Sequence, residues 1–229
     1  MQNSLRAAAG RGSQLLGRVA GALTLVTAAV VAPNAVIALE IDAYLAAATS
    51  GVAGEVAGRA YEASRRPDLA ERPLQGTTVT LLPQSETLTR RLEDIKRGAR
   101  DSDPAFRTAV PRMLQAAQDH ERAVRAAGGS SLLFNVSAGL DGMFTFPGVP
   151  AGPWILLARH ETLVPAKGNQ ISRKDRQMYR IGPTLEAYRS VTLWVREVTV
   201  VGGRVQAVEL NDRNAWFSGV VEVRAGADR

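Results

Sequence analysis

The chain has 229 residues, 45% hydrophobic and 22% charged, which is enough apolar mass for one ordinary domain with an added segment. Its net charge of +6 attracts it to anionic surfaces without choosing among them. Cysteine is absent, which excludes disulfides, thiolate zinc sites and thiol nucleophiles, and only His120 and His160 are available to a histidine-based metal site or relay.

Residues 1–18 form a basic N-region with Arg6, Arg11 and Arg18, followed by an uncharged run from Val19 to Leu39 and then Glu40 and Asp42. Basic residues before and acidic residues after orient such a run with its N-terminus in the cytoplasm. As a helix it reaches about 31 Å, enough to cross a bilayer. An anchor of this kind would place Val19, Leu23, Leu25, Val30, Val36 and Leu39 in the membrane. Alternatively, Pro33 ends a shorter apolar core, and Val36-Ile37-Ala38 is the cleavage site of a secretory signal. Both readings stay open. Both put residues 40–229 on the periplasmic side of a bacterial inner membrane, and neither expects nucleic acid as a partner. Residues 40–54 are small and Ala-rich, a helical tail or linker.

The domain spans residues 55–224, with a tail at 225–229. Glu55 to Glu62 can form a first strand, Ser64 to Pro73 a polar loop, and Thr77 to Leu82 an alternating β-branched strand. The period then changes to that of a helix. Ser85 is a plausible N-cap for a helix burying Leu88, Leu92 and Ile95. Ser102 or Asp103 caps a second helix, with Pro104 in its first turn. Its apolar stripe reads Phe106, Val110, Met113, Leu114, Ala117 and Val124, and Pro111 is expected to kink or split it. A helical hairpin, residues 85–127, thus interrupts the β pattern.

The stretch Leu132 to His160 reads as three strands joined by turns at Asp141-Gly142 and Pro147 to Pro153. Trp154 to Ala158 is a continuous apolar run, as a strand buried on both faces would be. Lys167 to Arg180 is a basic loop. Tyr188 to Val201 alternates Val191, Leu193, Val195 against Thr192, Trp194, Arg196. Gly202-Gly203 reads as a hairpin turn, with Val205 to Leu210 pairing back and Trp216 to Val223 as a last strand. The count is seven or eight strands, that of a mainly-β Greek-key sandwich.

Arg72-Pro73-Leu74-Gln75-Gly76 leading into Thr78 to Pro83 resembles the opening of carboxypeptidase regulatory-like domains, which belong to the transthyretin-like (prealbumin-like) sandwiches. Asp141 to Phe146, then Val149-Pro150-Ala151-Gly152-Pro153-Trp154, resembles that family's turn-and-aromatic hairpin, and Val200 to Leu210 its closing hairpin. The match covers most of residues 55–211, with 85–127 as an insertion. The resemblance implies a two-sheet fold and a non-catalytic accessory or contact role.

The enzymatic branch of that fold ends in Tyr-Arg-Gly-Ser. Tyr188-Arg189-Ser190 lacks the Gly and is far from the C-terminus, and the early-strand histidine is missing. His120 sits in a charged sequence and reads as a solvated helix face. His160 has no nucleophile suggested for it. Asp141 and Asp212 read as turn formers rather than Ca²⁺ ligands. No metal or cofactor is expected, and no small-molecule ligand.

Trp154, Trp194 and Trp216 with Tyr179 and Tyr188 could form a carbohydrate platform, although aromatics in strands are more often core. Arg173, Lys174, Arg176 and Arg180, with Arg90 and Arg97 on the first hairpin helix, are the candidate contacts to a partner or to lipid. The expected function is a non-catalytic, membrane-tethered accessory or docking subunit of a larger membrane-associated complex. The alternative is a secreted periplasmic carbohydrate-binding module, and a more remote one a transthyretin-like hydrolase.

Overall fold

The computed structural model describes residues 33–64, 66, 70–165 and 185–224. Three helices and nine strands appear among them: α1 (Pro33–Thr49), α2 (Glu86–Gly98), α3 (Asp103–Ala126), β1 (Ala53–Glu62), β2 (Arg72–Pro73), β3 (Thr78–Pro83), β4 (Phe134–Ser137), β5 (Met143–Pro150), β6 (Gly152–Pro165), β7 (Leu185–Val200), β8 (Val205–Asn211) and β9 (Phe217–Arg224). The strands form two sheets. In one, β1 pairs with β2 and β5 and, in parallel, with β8. The other runs β4-β3-β6-β7-β9, all antiparallel.

Strand periodicity sorts the apolar residues into two cores. Between the sheets, Val56, Ala60, Phe144, Phe146 and Leu210 of the first meet Val79, Leu81, Trp154, Leu156 and Trp194 of the second. On the outer face of the five-stranded sheet, Leu82, Ile155, Val191 and Leu193 meet Leu88, Leu92 and Ile95 of α2 and Ala109, Val110, Met113 and Ala116 of α3. The architecture is therefore sheet, sheet, helical hairpin. The run at Trp154 is explained by this layering: Trp154, Leu156 and Ala158 serve the inner core, while Ile155 and Leu157 serve the outer one.

Both hairpin caps are made as the sequence suggests. Ser85 Oγ accepts from Leu88 N, and Ser102 Oγ from Ala105 N, each at 3.3 Å. Pro111 does not split α3. It faces solvent, and the packing of its neighbours Val110 and Met113 outweighs its cost in a helix. The buried stripe of α3 is rotated by roughly half a residue, about 50°, from the expected one. It comprises Ala109, Val110, Met113, Ala116, His120 and Val124, while Phe106 is 37% exposed.

Two turns differ in kind from the hairpins expected. β4 pairs with β3 and β5 with β1, so Asp141-Gly142 is a corner between sheets. Likewise β8 does not pair back on β7. Gly202-Gly203 carries the chain across to the other sheet, where β8 lies parallel to β1 from Glu55↔Val205 to Tyr61↔Asn211. Local turn chemistry marks where the chain bends, and burial of Val208 and Leu210 decides which strand it joins.

Helix α1 is built into the end of the sandwich, with Ile41 and Tyr44 in the inner core. No described helix is long and apolar enough to cross a membrane. Of the expected membrane residues, Val19, Leu23, Leu25 and Val30 lie outside the described residues, and Val36 and Leu39 fall within α1.

Candidate functional site

The histidines are not brought together. His120 is buried against the end of β3, its Nε2 3.4 Å from the carbonyl of Pro83. The solvated-face reading is thus corrected: the charges flanking His120 in sequence point elsewhere on the helix, while the imidazole continues the apolar stripe. Burial holds its pKa below the ordinary 6.5. His160 lies near the other end of β3, Nδ1 3.1 Å from Thr77 Oγ1. The Thr77 hydroxyl donates to the carbonyl of Leu74 at 2.7 Å, so it accepts from the Nδ1–H of His160. Desolvation and then the nearby Arg72 lower this pKa too. Each imidazole has a hydrogen-bond partner among the described residues, the Pro83 carbonyl for His120 and the Thr77 hydroxyl for His160.

Asp141 closes its own turn, whereas Asp212 ties the segment after β8 to the end of β1. Asp141 Oδ1 accepts from Met143 N at 2.9 Å, and Asp212 Oδ1 from Ala63 N at 2.8 Å. Among the described residues no group of three His, Asp or Glu side chains converges.

The tryptophans do not form a platform. Trp154 and Trp194 are fully buried, and their indole N–H groups donate to the carbonyls of Pro150 and Asn211 at 2.9 and 2.8 Å. Trp216 is half-buried. Its Nε1 donates to Glu93 at 3.1 Å, and the Lys96 ammonium stands 4.3 Å from the ring centroid. Tyr188 is half-buried in β7, and Tyr179 lies outside the described residues.

The helical hairpin creates two recesses. The first, on its solvent face, is a groove between α2 and α3 of about 410 Å³, lined by Thr87, Arg90, Arg91, Asp94, Ile95, Arg112 and Gln115. Arg90 pairs with Glu86, and Arg97 beside the groove pairs with Asp94 at 3.3 Å. Arg91 reaches across to Asp119 at 2.9 Å; Asp119 also accepts from Gln115 at 2.7 Å and pairs with Arg122. These donors, Gln115 first and Arg91 next, hold the Asp119 carboxyl below its ordinary pKa. Arg112 makes no ion pair to any described residue. The groove lining carries Arg90, Arg91 and Arg112 against Asp94, so the groove is basic. Arg90 and Arg97, seven residues apart, sit on one face of α2, and each is already paired. Arg173, Lys174, Arg176 and Arg180 lie outside the described residues.

The second recess lies under the hairpin, between α3 and the five-stranded sheet, with a volume of about 290 Å³. Its floor is two transverse rows of the sheet. One row is Asn135–Thr80–Leu157–Val195 and the next is Thr78–Arg159–Leu193. Met113, Leu114, Ala117, Gln118 and Glu121 form the α3 wall, and Leu92 and Trp216 close the far end. Sequence reasoning missed this cleft. The available signal is Thr78 and Thr80, polar residues on the strand face that the hairpin must cover.

No family model matches the chain, and no curated protein matches it. One solved structure with a related outline is a Pseudomonas aeruginosa protein provisionally described as carbohydrate-binding. It is 18% identical, with a TM-score of 0.42, and the match covers 74% of this chain and 95% of that one.

Proposed function

We propose that this chain is a non-catalytic docking module, held on the outer side of a membrane through residues 19–39, that binds an acidic surface of a membrane-protein partner with its helical hairpin. We also place it among the transthyretin-like sandwiches, on the motif order at Arg72–Pro83 and Asp141–Trp154. The observation that carries the docking reading is the groove on the hairpin's solvent face, where Arg90, Arg91 and Arg112 converge between α2 and α3 on the side turned away from the sheet that the hairpin covers. β3 and β4 already neighbour one another, with Leu81 opposite Phe134, so a short turn would join them without the hairpin. The taking up of both histidines by Pro83 and Thr77 supports a non-catalytic role. The carbohydrate reading loses its platform with the burial of Trp154 and Trp194.

Isolation of the full chain from its native membranes in mild detergent, with intact-mass analysis, tests this. A full-length mass with one stoichiometric membrane-protein partner, released by raised salt as exposed charge contacts are, is the expected result. A mass beginning near Leu39, with no partner, would overturn it.

A further inference from the structure

The cleft beneath the hairpin is separate from the arginine groove and carries its own inference. Along the row Asn135–Thr80–Leu157–Val195 the residue chemistry changes in one direction, and the next row carries Arg159 between Thr78 and Leu193. Asn135, Thr80 and Thr78 lie on β4 and β3 at one end, and Leu157, Val195 and Leu193 follow on β6 and β7 toward Trp216. At about 4.8 Å between strands, four strands give a trough roughly 14 Å long.

At the polar end, the side chains of Thr78, Thr80, Asn135 and Gln118 make no hydrogen bond to any described residue. They remain available to a ligand. The charged rim groups are not available in the same way. Arg159 pairs with Glu161 at 3.4 Å, and Glu121 with Arg125 at 3.3 Å, so neither sign of charge is left uncompensated. The free hydrogen-bonding capacity is therefore neutral, and it faces an apolar half within the same enclosure. The volume of 290 Å³ corresponds to roughly ten waters' worth of liquid space, below the range of drug-sized ligands.

We propose that this cleft binds one small neutral amphiphile, its hydrogen-bonding head over Thr80 and Asn135 and its apolar tail over Leu157 and Val195 toward Trp216. A charged head would compete with ion pairs already made at the rim. A fully polar ligand would leave Leu157 and Val195 facing hydroxyls, and a fully apolar one would strand the threonines and Asn135. Occupancy would not require movement of the hairpin, because Leu92 and Met113 at the back of the cleft stay in the outer core.

The test is methyl NMR on the full chain in phospholipid nanodiscs, with octane-1,2-diol as the probe and glycerol and octanoate as controls. Saturable, single-site shifts at the Leu157, Val195 and Leu193 methyls are expected with the diol. None are expected with glycerol, and octanoate should bind more weakly. The pair Thr80→Val and Asn135→Leu keeps side-chain bulk, and should weaken diol binding about tenfold, the loss of roughly one hydrogen-bonded contact. Leu157→Trp, which fills the apolar half, should abolish the shifts. Non-saturating shifts, shifts at exposed Leu140 and Leu163 rather than in the cleft, or unchanged affinity in the Thr80→Val and Asn135→Leu pair would each overturn the proposal. Partner isolation does not depend on this cleft, so failure here leaves the docking reading intact.

Discussion

Tyr44 stands edge-on to Trp154, their ring centroids 5.0 Å apart at an interplanar angle of 73°. Its hydroxyl donates to the carbonyl of Pro153 and accepts from Gln84 N at 3.1 Å. One side chain of α1 thereby joins the start of β6 to the segment after β3. The Ala-rich stretch before the first strand is part of the sandwich rather than only a lead into it. Tyr44→Phe should cost about 0.5–1.5 kcal/mol, because Gln84 N and the Pro153 carbonyl lose the buried hydroxyl but keep each other at 3.3 Å. Tyr44→Ala should cost about 3–5 kcal/mol by adding a cavity beside Trp154. Urea denaturation of the two variants checks both values and their order.

Gly142 should not tolerate a side chain. It has a φ of 76°, and a Cβ there would lie 2.3 Å from the carbonyl oxygen of Ala60. Its own carbonyl accepts from Ala60 N at 2.8 Å, so it cannot move away without opening the corner between sheets. Gly142→Ala should destabilise by at least about 2 kcal/mol, from the left-handed backbone and the clash together. Gly148, with a φ of 67° and open space around it, is the control: Gly148→Ala should cost only the backbone strain, about 1 kcal/mol.

His120 makes stability fall in mild acid. Its folded pKa lies below the ordinary 6.5, so the unfolded chain binds the proton more readily. The stability is fully present above pH 6.5 and is lost as pH falls from there toward the folded value. His160 has the same sign. Between pH 7.5 and 5 the wild type should lose stability, and His120→Leu should lose measurably less, read from urea midpoints at each pH. Equal losses in the two proteins would remove His120 as the cause.

The hairpin covers apolar sheet surface. Replacing residues 86–126 with a short Gly-Ser turn should leave the β3–β4 pairing possible, yet expose Leu82, Ile155, Val191 and Leu193. The shortened chain should self-associate, seen as a shift to larger species in size-exclusion chromatography. A well-behaved monomer would mean that the outer face needs no cover.

The elements were largely legible in the sequence, and their pairing was not. Ser85 and Ser102 announced both helices because capping is local chemistry. The Trp154–Ala158 run announced a strand buried on two sides. By contrast, Gly202-Gly203 carries the same signal whether the next strand folds back or crosses to the other sheet. Only the burial of Val208 and Leu210 against the inner core distinguishes these. His120 was misplaced because its charged sequence neighbours occupy other faces of α3, and one residue of phase separates a solvated imidazole from a buried one. The cleft was invisible for a related reason: Asn135, Thr80, Leu157 and Val195 come from four strands and meet only through register.

The docking claim is tested most directly by site-specific photo-crosslinking in native membranes. A photoreactive residue replaces Arg90, in the hairpin groove, or Thr145, exposed on β5 of the other sheet. A discrete adduct with one membrane protein from position 90 and none from position 145 is the predicted result. An adduct from position 145 alone, or from neither position, would contradict the assignment of the hairpin as the docking surface.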